Sequence, residues 1–138
     1  MTSTLRLAFP SRPEYVVLGR LVLSGLARVQ EIGPGPLGDL KLALTEASAN
    51  SVRHASCGET GTVEIAYELD ASHIAIDVAD DGPGFDPADV SRDPDTLDEG
   101  GLGLAIIRAV CDEIDVGPRA GGTGSNIRFV KRLDEEER

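Results

Sequence analysis

The segment Leu40 to Ala55 (LKLALTEASANSVRHA) constrains the fold more than any other stretch of this chain. Read as a helix, it places Leu40, Leu44 and Ala47 on one apolar stripe, because residues three and four apart share a helix face. An apolar stripe of this kind must be covered by another element. The segment therefore predicts a central helix that packs against the rest of a domain.

A polar stripe runs beside the apolar one and carries three different chemical groups. Glu46, Asn50 and Arg53 follow one another at spacings of four and three. The carboxylate can accept a proton, the amide oxygen can ligate a hard cation, and the guanidinium can hold phosphate. A solvated helix face is the alternative, since most charged helix faces are only that.

Length and charge limit the class of protein. The 138 residues suit one compact domain, taken as residues 1–138. The net charge of −11 argues against direct binding to nucleic acid or to an anionic membrane. Neither an apolar run of about 18 residues nor a charged-then-apolar leader is present, so we expect a cytoplasmic protein. Cys57 and Cys111 have the spacing of neither a disulfide framework nor a zinc site.

The residues before the central helix predict a strand and a first helix. Thr4 to Phe9 alternates as a strand does, and Ser11 to Glu14 resembles a capping box. The helix that follows is expected to run to about Glu31, before Gly33 to Pro36 breaks it. Its predicted inward residues have core spacing: Leu18, Val22, Leu26 and Val29.

The residues after the central helix predict a hairpin, a helix and a last strand. Val63 to Leu69 and Ile74 to Val78 alternate on either side of a turn. A helix is expected from Glu99 to about Ile114, followed by a short segment near Asp115 to Gly117. Its predicted inward residues are Leu102, Ile106, Ala109 and Val110. A glycine-rich turn at Gly121 to Ser125 then leads into a strand at Ile127 to Leu133.

The second hairpin strand runs directly into Asp80 to Phe85 (DDGPGF). Two glycines two residues apart let the backbone turn tightly and approach a ligand closely. A carboxylate at such a turn can accept a hydrogen bond from an exocyclic amine such as that of adenine. A simple acidic turn is the alternative, because Asp and Gly are common in turns.

Two segments before the late helix suggest contact with phosphate. Asp86 to Glu99 is acidic, contains one cation, Arg92, and has the size of a mobile lid or of a plain disordered loop. Glu99 to Leu104 (EGGLGL) opens a helix with glycines, and free N–H groups at a helix start can cradle phosphate. A merely flexible helix entry is the alternative. No GxxxxGK[ST] occurs, which excludes a P-loop.

The order of these motifs resembles the GHKL ATP-binding family, which includes histidine kinases, gyrase, MutL-type repair proteins and anti-sigma factor serine kinases. The resemblance covers about Leu37 to Leu133 and rests on the polar helix, DDGPGF, EGGLGL and the Gly-Thr-Gly-Ser turn. It implies a Bergerat-type fold, an α/β two-layer sandwich with a mixed, mainly antiparallel sheet and helices on one face. ATP and Mg²⁺ are the cofactors it implies.

The resemblance also implies a role for each matching residue. Asn50 is the expected magnesium ligand, Asp80 the acceptor for the adenine amine, Glu46 the general base and Arg53 a phosphate contact. The remaining implied nucleotide contacts are Gly82, Gly84, Gly101, Leu102, Gly103, Leu104 and Ser125.

The subfamily implied is the anti-sigma factor serine/threonine kinase of the anti-sigma B type. Glu99 stands where histidine kinases usually have glycine, and the only histidines are His54 and His73, neither on an upstream helix hairpin. Such a kinase is expected to be a homodimer that sequesters a sigma factor and phosphorylates an anti-anti-sigma antagonist. A nucleotide-dependent binding switch without phosphoryl transfer and a detached histidine-kinase domain are the alternatives.

Overall fold

The computed structural model of the chain describes residues 2–55, 61–81, 99–119 and 124–133. Within these ranges the chain forms five strands, three α-helices and one 3₁₀ turn. In chain order they are β1 (Ser3–Pro10), the 3₁₀ turn (Pro13–Tyr15), α1 (Val16–Val29), α2 (Pro34–Ala55), β2 (Thr62–Leu69), β3 (His73–Asp80), α3 (Glu99–Val110), β4 (Glu113–Pro118) and β5 (Ser125–Arg132).

The five strands form one sheet in the order β1-β2-β3-β5-β4. Every pairing among the described strands is antiparallel, where the sequence predicted a mixed and mainly antiparallel sheet. The strands of the hairpin alternate between buried and half-buried residues, as expected of a sheet with one covered face. The register places Asp80 at the end of β3 directly opposite Ser125 at the start of β5.

The helices lie on one face of the sheet, and α2 is the central one. Leu40, Leu44 and Ala47 are fully buried, as the apolar stripe predicted. They join a core built from both layers, whose largest side chains include Leu23, Ile65, Tyr67, Ile76, Ile107 and Phe129. The predicted α/β two-layer sandwich is confirmed. None of the described helices combines the length and the apolar character needed to cross a membrane.

One salt bridge ties together three elements at the far end of α3. The Lys131 ammonium donates to Asp39 Oδ2 on α2 at 2.9 Å and to the carbonyl of Val110 at 2.8 Å. A cation at the last carbonyls of a helix satisfies an acceptor and complements the helix dipole. Lys131 therefore fastens α2 and the end of α3 to β5.

Three boundaries differ from the sequence prediction. Ser11 caps no helix, because α1 starts at Val16 after a 3₁₀ turn and neither start has a side-chain cap. The helix α2 begins at Pro34, since proline is tolerated in a first helical turn. The helix α3 ends at Val110, and Ile114 lies in β4.

Two predictions of inward-facing residues are also wrong. On α1, Val29 is 76% exposed, and Gly19, Leu23, Leu26 and Ala27 face the core. On α3, Leu102 is 55% exposed and Ala109 is exposed, whereas Gly103 and Ile107 are buried. The phase of each helix is therefore set by the elements it packs against rather than by its largest apolar residues.

Candidate functional site

A buried carboxylate stands at the end of β3. Asp80 has no solvent exposure, and the Ser125 hydroxyl donates to its Oδ2 at 2.6 Å. The two residues meet because they are opposite each other in the β3–β5 ladder. Burying a carboxylate is costly unless hydrogen bonds compensate it. The pair is thus a prepared hydrogen-bond acceptor, at the place where the sequence predicted an adenine contact.

Gly124 holds the backbone close to this carboxylate. Its φ is +116°, and a Cβ built on it would lie 1.8 Å from the carbonyl oxygen of Asp80. Only glycine permits this conformation and this approach. The sequence singled out the Gly121 to Ser125 turn for its glycines. The sequence did not predict that Gly124 packs against the backbone of Asp80 at the end of β3.

Asn50 and Arg53 are joined on the last turns of α2. Asn50 is 1% exposed, and its Oδ1 accepts a hydrogen bond from Nη2 of Arg53 at 2.9 Å. Its Nδ2 has no hydrogen-bond partner among the described residues. The guanidinium side chain of Arg53 is exposed. The predicted polar stripe therefore exists, with a buried amide beneath a solvent-facing cation.

Glu46 lies one turn before Asn50 and faces the first turns of α3. A Cβ built on Gly103 would lie 3.7 Å from both Cβ and Oε1 of Glu46. Gly103 on α3 therefore lies beside this half-buried carboxylate, at a distance where an added Cβ would make an ordinary van der Waals contact. The structure brings the second glycine box next to the predicted general base, two parts that are far apart in the sequence.

Ser11 connects the end of α2 with the end of the sheet at which Asp80 lies. Its Oγ donates to the carbonyl of Val52 at 3.2 Å, and its N–H donates to the carbonyl of Gly61 at 2.8 Å. The next residue along, Thr62, donates its N–H to Oδ1 of Asp81 at 2.9 Å. Asn50 and Asp80 therefore belong to the same end of the sandwich. The sequence suggested a helix cap for Ser11 and missed this position.

The other predicted contacts divide into described and undescribed residues. Gly101 lies in the first turn of α3, Leu102 is exposed, and Leu104 is half-buried against the core. Residues 86–98 of the predicted lid, which include Arg92, lie outside the described residues. Gly82 and Gly84 also lie outside them.

The donor set fits a cation shared with phosphate rather than a cation held by protein alone. Within the described ranges, no three His, Cys, Asp or Glu side chains are grouped to hold a metal ion. Magnesium often takes one or two protein oxygens together with substrate phosphates and water. The buried amide of Asn50 provides one such oxygen, next to a helix start suited to phosphate. The residues present therefore fit the implied Mg²⁺ and ATP.

A groove of about 500 Å³ on the opposite, open face of the sheet is a weaker candidate. Its carboxylates are paired with arginines: Glu64 with Arg119 in the groove, and Asp77 and Glu68 with the neighbouring Arg128 at 2.6 and 3.0 Å. The hydrogen bonds to both carboxylates raise the pKa of Arg128 further, so it stays charged. Ion pairs of this kind are typical of the exposed face of a sheet, so the groove does not require a ligand to account for its charged residues.

The sandwich and its end of gathered polar residues define a class of nucleotide-binding domain. The family model described as the histidine kinase-like ATPase domain matches residues 9–131, and the chain belongs to this family. The resemblance predicted from the ordered motifs is confirmed.

Its relatives include serine-protein kinases. The serine-protein kinase RsbW of Listeria monocytogenes serovar 1/2a is 33% identical over 99% of this chain and 94% of its own length. The serine-protein kinase RsbW of Bacillus licheniformis is 36% identical over 89% of this chain and 83% of its own. The prediction of an ATP-dependent protein kinase agrees with these relatives.

Solved structures confirm the fold. The RsbU and RsbW domains of a Mycobacterium tuberculosis protein match with a TM-score of 0.69 and 18% identity, over 95% of this chain. This chain spans 32% of that longer one. The catalytic domain of the histidine kinase ThkA matches with a TM-score of 0.62 and 18% identity, over 97% of this chain and 99% of its own.

Proposed function

We propose that this chain is an ATP- and magnesium-dependent serine/threonine protein kinase of the anti-sigma type. In this function it phosphorylates an anti-anti-sigma antagonist and sequesters a sigma factor. The contact between Glu46 and Gly103 carries the proposal, because it brings a carboxylate to the helix start that suits phosphate. The relatives named serine-protein kinase RsbW support the substrate class.

Asp80 anchors the base of the nucleotide in this proposal. One oxygen is held by Ser125, which fixes the carboxylate in the orientation that an exocyclic amine requires. Gly82 and Gly84 complete the box around the adenine. A carboxylate acceptor also discriminates between bases, because a base with a carbonyl in place of the amine would leave the buried Asp80 unpaired.

The first turns of α3 and the end of α2 hold the phosphates. Because α3 begins at Glu99, the orphan N–H groups of its first turn, up to Gly101, are offered to the phosphate chain, and Leu102, Gly103 and Leu104 are proposed as neighbouring contacts. Arg53 adds a guanidinium. Asn50 would hold Mg²⁺, which supplies neutralisation of the charge that develops in phosphoryl transfer.

Glu46 is the general base. A neutral serine or threonine hydroxyl must lose its proton as it attacks the γ-phosphate, and a positioned carboxylate accepts that proton. The hydroxyl oxygen forms a bond to the γ-phosphorus, the bond from that phosphorus to the β–γ bridging oxygen breaks, ADP leaves, and the proton ends on Glu46. We expect Glu46→Gln to bind ATP as wild type does and to transfer phosphate about 10²- to 10⁴-fold more slowly.

The partners follow from charge and from the family. Phosphorylation adds nearly two negative charges to the antagonist. Against a chain of net charge −11 the product is repelled, and the surface becomes free for the sigma factor. We further propose a homodimer, a cytoplasmic location and no direct contact with nucleic acid or membrane.

The test is incubation with γ-labelled ATP and Mg²⁺, with and without candidate antagonist domains. We expect transfer to a serine or threonine, which gives a phosphoester that survives acid. Glu46→Gln should abolish this label, whereas Glu14→Gln, an exposed acid in the 3₁₀ turn, should keep it.

Two other results would replace this proposal. An acid-labile product would identify a detached histidine-kinase domain, because phosphohistidine does not survive acid. Nucleotide-dependent binding of an antagonist or sigma factor without any transfer would identify a binding switch.

A further inference from the structure

The oxygen proposed to ligate magnesium is already engaged by a cation of the protein itself. Nη2 of Arg53 lies 2.9 Å from Asn50 Oδ1. A guanidinium has only donors, so the amide atom that faces it must be the oxygen. The arrangement follows from the sequence, because residues three apart on a helix are neighbours.

The burial of Asn50 makes this contact consequential. The side chain is 1% exposed, whereas Arg53 is exposed. Magnesium requires near-octahedral coordination and usually keeps several of its waters. An amide as buried as this has no room for a hydrated ion, so a covering group must move first. Arg53 is a group that the structure shows on that oxygen, and its side chain is exposed.

Charge makes the two occupants exclude each other. An amide oxygen has two lone pairs, so geometry alone would allow a hydrogen bond and a metal bond together. The guanidinium and the dication would then lie a few ångströms apart and repel each other. Phosphate offers the guanidinium a charged, bidentate acceptor in place of a neutral amide. The phosphates of a metal–nucleotide complex are therefore a stronger acceptor for Arg53 than the amide oxygen of Asn50.

We propose that Arg53 is a displaceable cover on the metal ligand. Asn50 would hold the cation through Oδ1 once Arg53 has left that oxygen for the phosphates. Arg53 thereby lowers the affinity of the site for metal and sets the magnesium level at which the nucleotide is held. This inference rests on the proposed function, which assigns Asn50 as the magnesium ligand.

The measurable quantity is the metal coupling factor, the Kd for ATP in EDTA divided by the Kd for ATP with saturating Mg²⁺. Arg53→Ala should raise this factor about tenfold, because the ion no longer has to displace a charge-assisted hydrogen bond. Calorimetry gives both constants, and Mn²⁺ in place of Mg²⁺ gives a spectroscopic readout of the bound ion.

A double-mutant cycle shows whether the effect passes through the oxygen of Asn50. In an Asn50→Ala background, Arg53→Ala should leave the coupling factor unchanged. An equal rise in both backgrounds would overturn the inference, since Arg53 would then oppose the metal only through the phosphates. Arg108→Ala, which removes an exposed arginine from the last turn of α3, is the matched control and should change nothing.

The remaining outcomes separate this inference from the proposed function. If Asn50→Ala lowers the coupling factor and Arg53→Ala leaves it unchanged or lowers it, only the cover is wrong. If Asn50→Ala does not change the factor, the magnesium assignment itself fails. The side-chain amide resonance of Asn50 supplies a second readout, and it should shift in Arg53→Ala before any ligand is added.

Discussion

At the scale of single residues, the carboxylate of Asp80 is the predicted acceptor for the adenine amine. The side chain is fully buried, and the Ser125 hydroxyl donates to its Oδ2. This hydrogen bond fixes the position of the carboxylate.

The first residue-scale prediction concerns ATP affinity. Asp80→Asn replaces an acceptor oxygen by an amide and should weaken ATP binding about tenfold to a hundredfold, the value of a hydrogen bond to a charged group. Asp81→Asn is the matched control, because Asp81 is the exposed neighbour with the same charge. Calorimetric titration showing equal loss in both variants would mean that net charge, and not the acceptor, controls affinity.

The second residue-scale prediction concerns thiol reactivity. Burial raises the pKa of the Cys111 thiol to about 12, so the folded protein keeps it protonated where a free thiol ionises. At about pH 8.5, iodoacetamide should label Cys111 at least about a hundredfold more slowly in the native state than in urea. Mass spectrometry of its peptide measures both rates. Because the folded pKa is the higher one, this protection should fade only as pH rises toward 12.

At the scale of elements, the seam between α2 and α3 explains why one sequence prediction failed. The prediction placed Leu102 inward because it is large and apolar. The structure turns Gly103 toward Glu46 on α2 instead, and Leu102 is exposed. Periodicity identified the helix, but the elements packed against a helix decide which face is buried, and the pattern of large apolar residues cannot show that.

The element-scale prediction concerns the turn that enters β5. Gly124→Ala would place a Cβ against the carbonyl oxygen of Asp80, in a backbone conformation unfavourable to alanine. We expect the free energy of unfolding to fall by at least about 2 kcal/mol, from strain and overpacking together. Gly117→Ala in β4 is the control, because its Cβ would meet nothing within 4 Å.

Urea denaturation measures both glycine variants. A similar small change in the two would mean that the turn relaxes around the added methyl group. ATP affinity of Gly124→Ala, measured where the variant is still folded, reports whether the displaced turn also carries Ser125 away from Asp80.

At the scale of the whole molecule, the sequence predicted the layers and the order of elements but not how the site is assembled. Alternation and helical spacing located β1, β2, β3, β5 and the three α-helices, because each must bury one face. For β4 the sequence predicted only a short segment near Asp115 to Gly117. The neighbours Asn50 and Arg53 were also predictable, since helix geometry fixes them. The position of Ser11 was not, because it bonds residues 41 and 50 positions away, and such pairs leave no periodic signal.

The whole-molecule prediction is stabilisation by nucleotide. A ligand that binds only the folded state, at a hundred times its Kd, adds about 2.7 kcal/mol to the free energy of unfolding. For a domain of this size ATP with Mg²⁺ should raise Tm by roughly 10 °C. Asp80→Asn should lose most of that shift at the same ATP concentration while keeping its unliganded Tm within a few degrees. An unchanged Tm in wild type would contradict nucleotide binding.

The position of β5 has a consequence for synthesis on the ribosome. It follows every other described element along the chain, yet it is inserted between β3 and β4 in the sheet. Asp80 is therefore translated long before Ser125, the residue that holds its carboxylate. A growing chain has the predicted general base Glu46 and the predicted magnesium ligand Asn50 early, and it lacks Ser125 beside Asp80 until β5 has emerged. We expect translation that stops short of β5 to yield chains that do not compete with the complete protein for ATP.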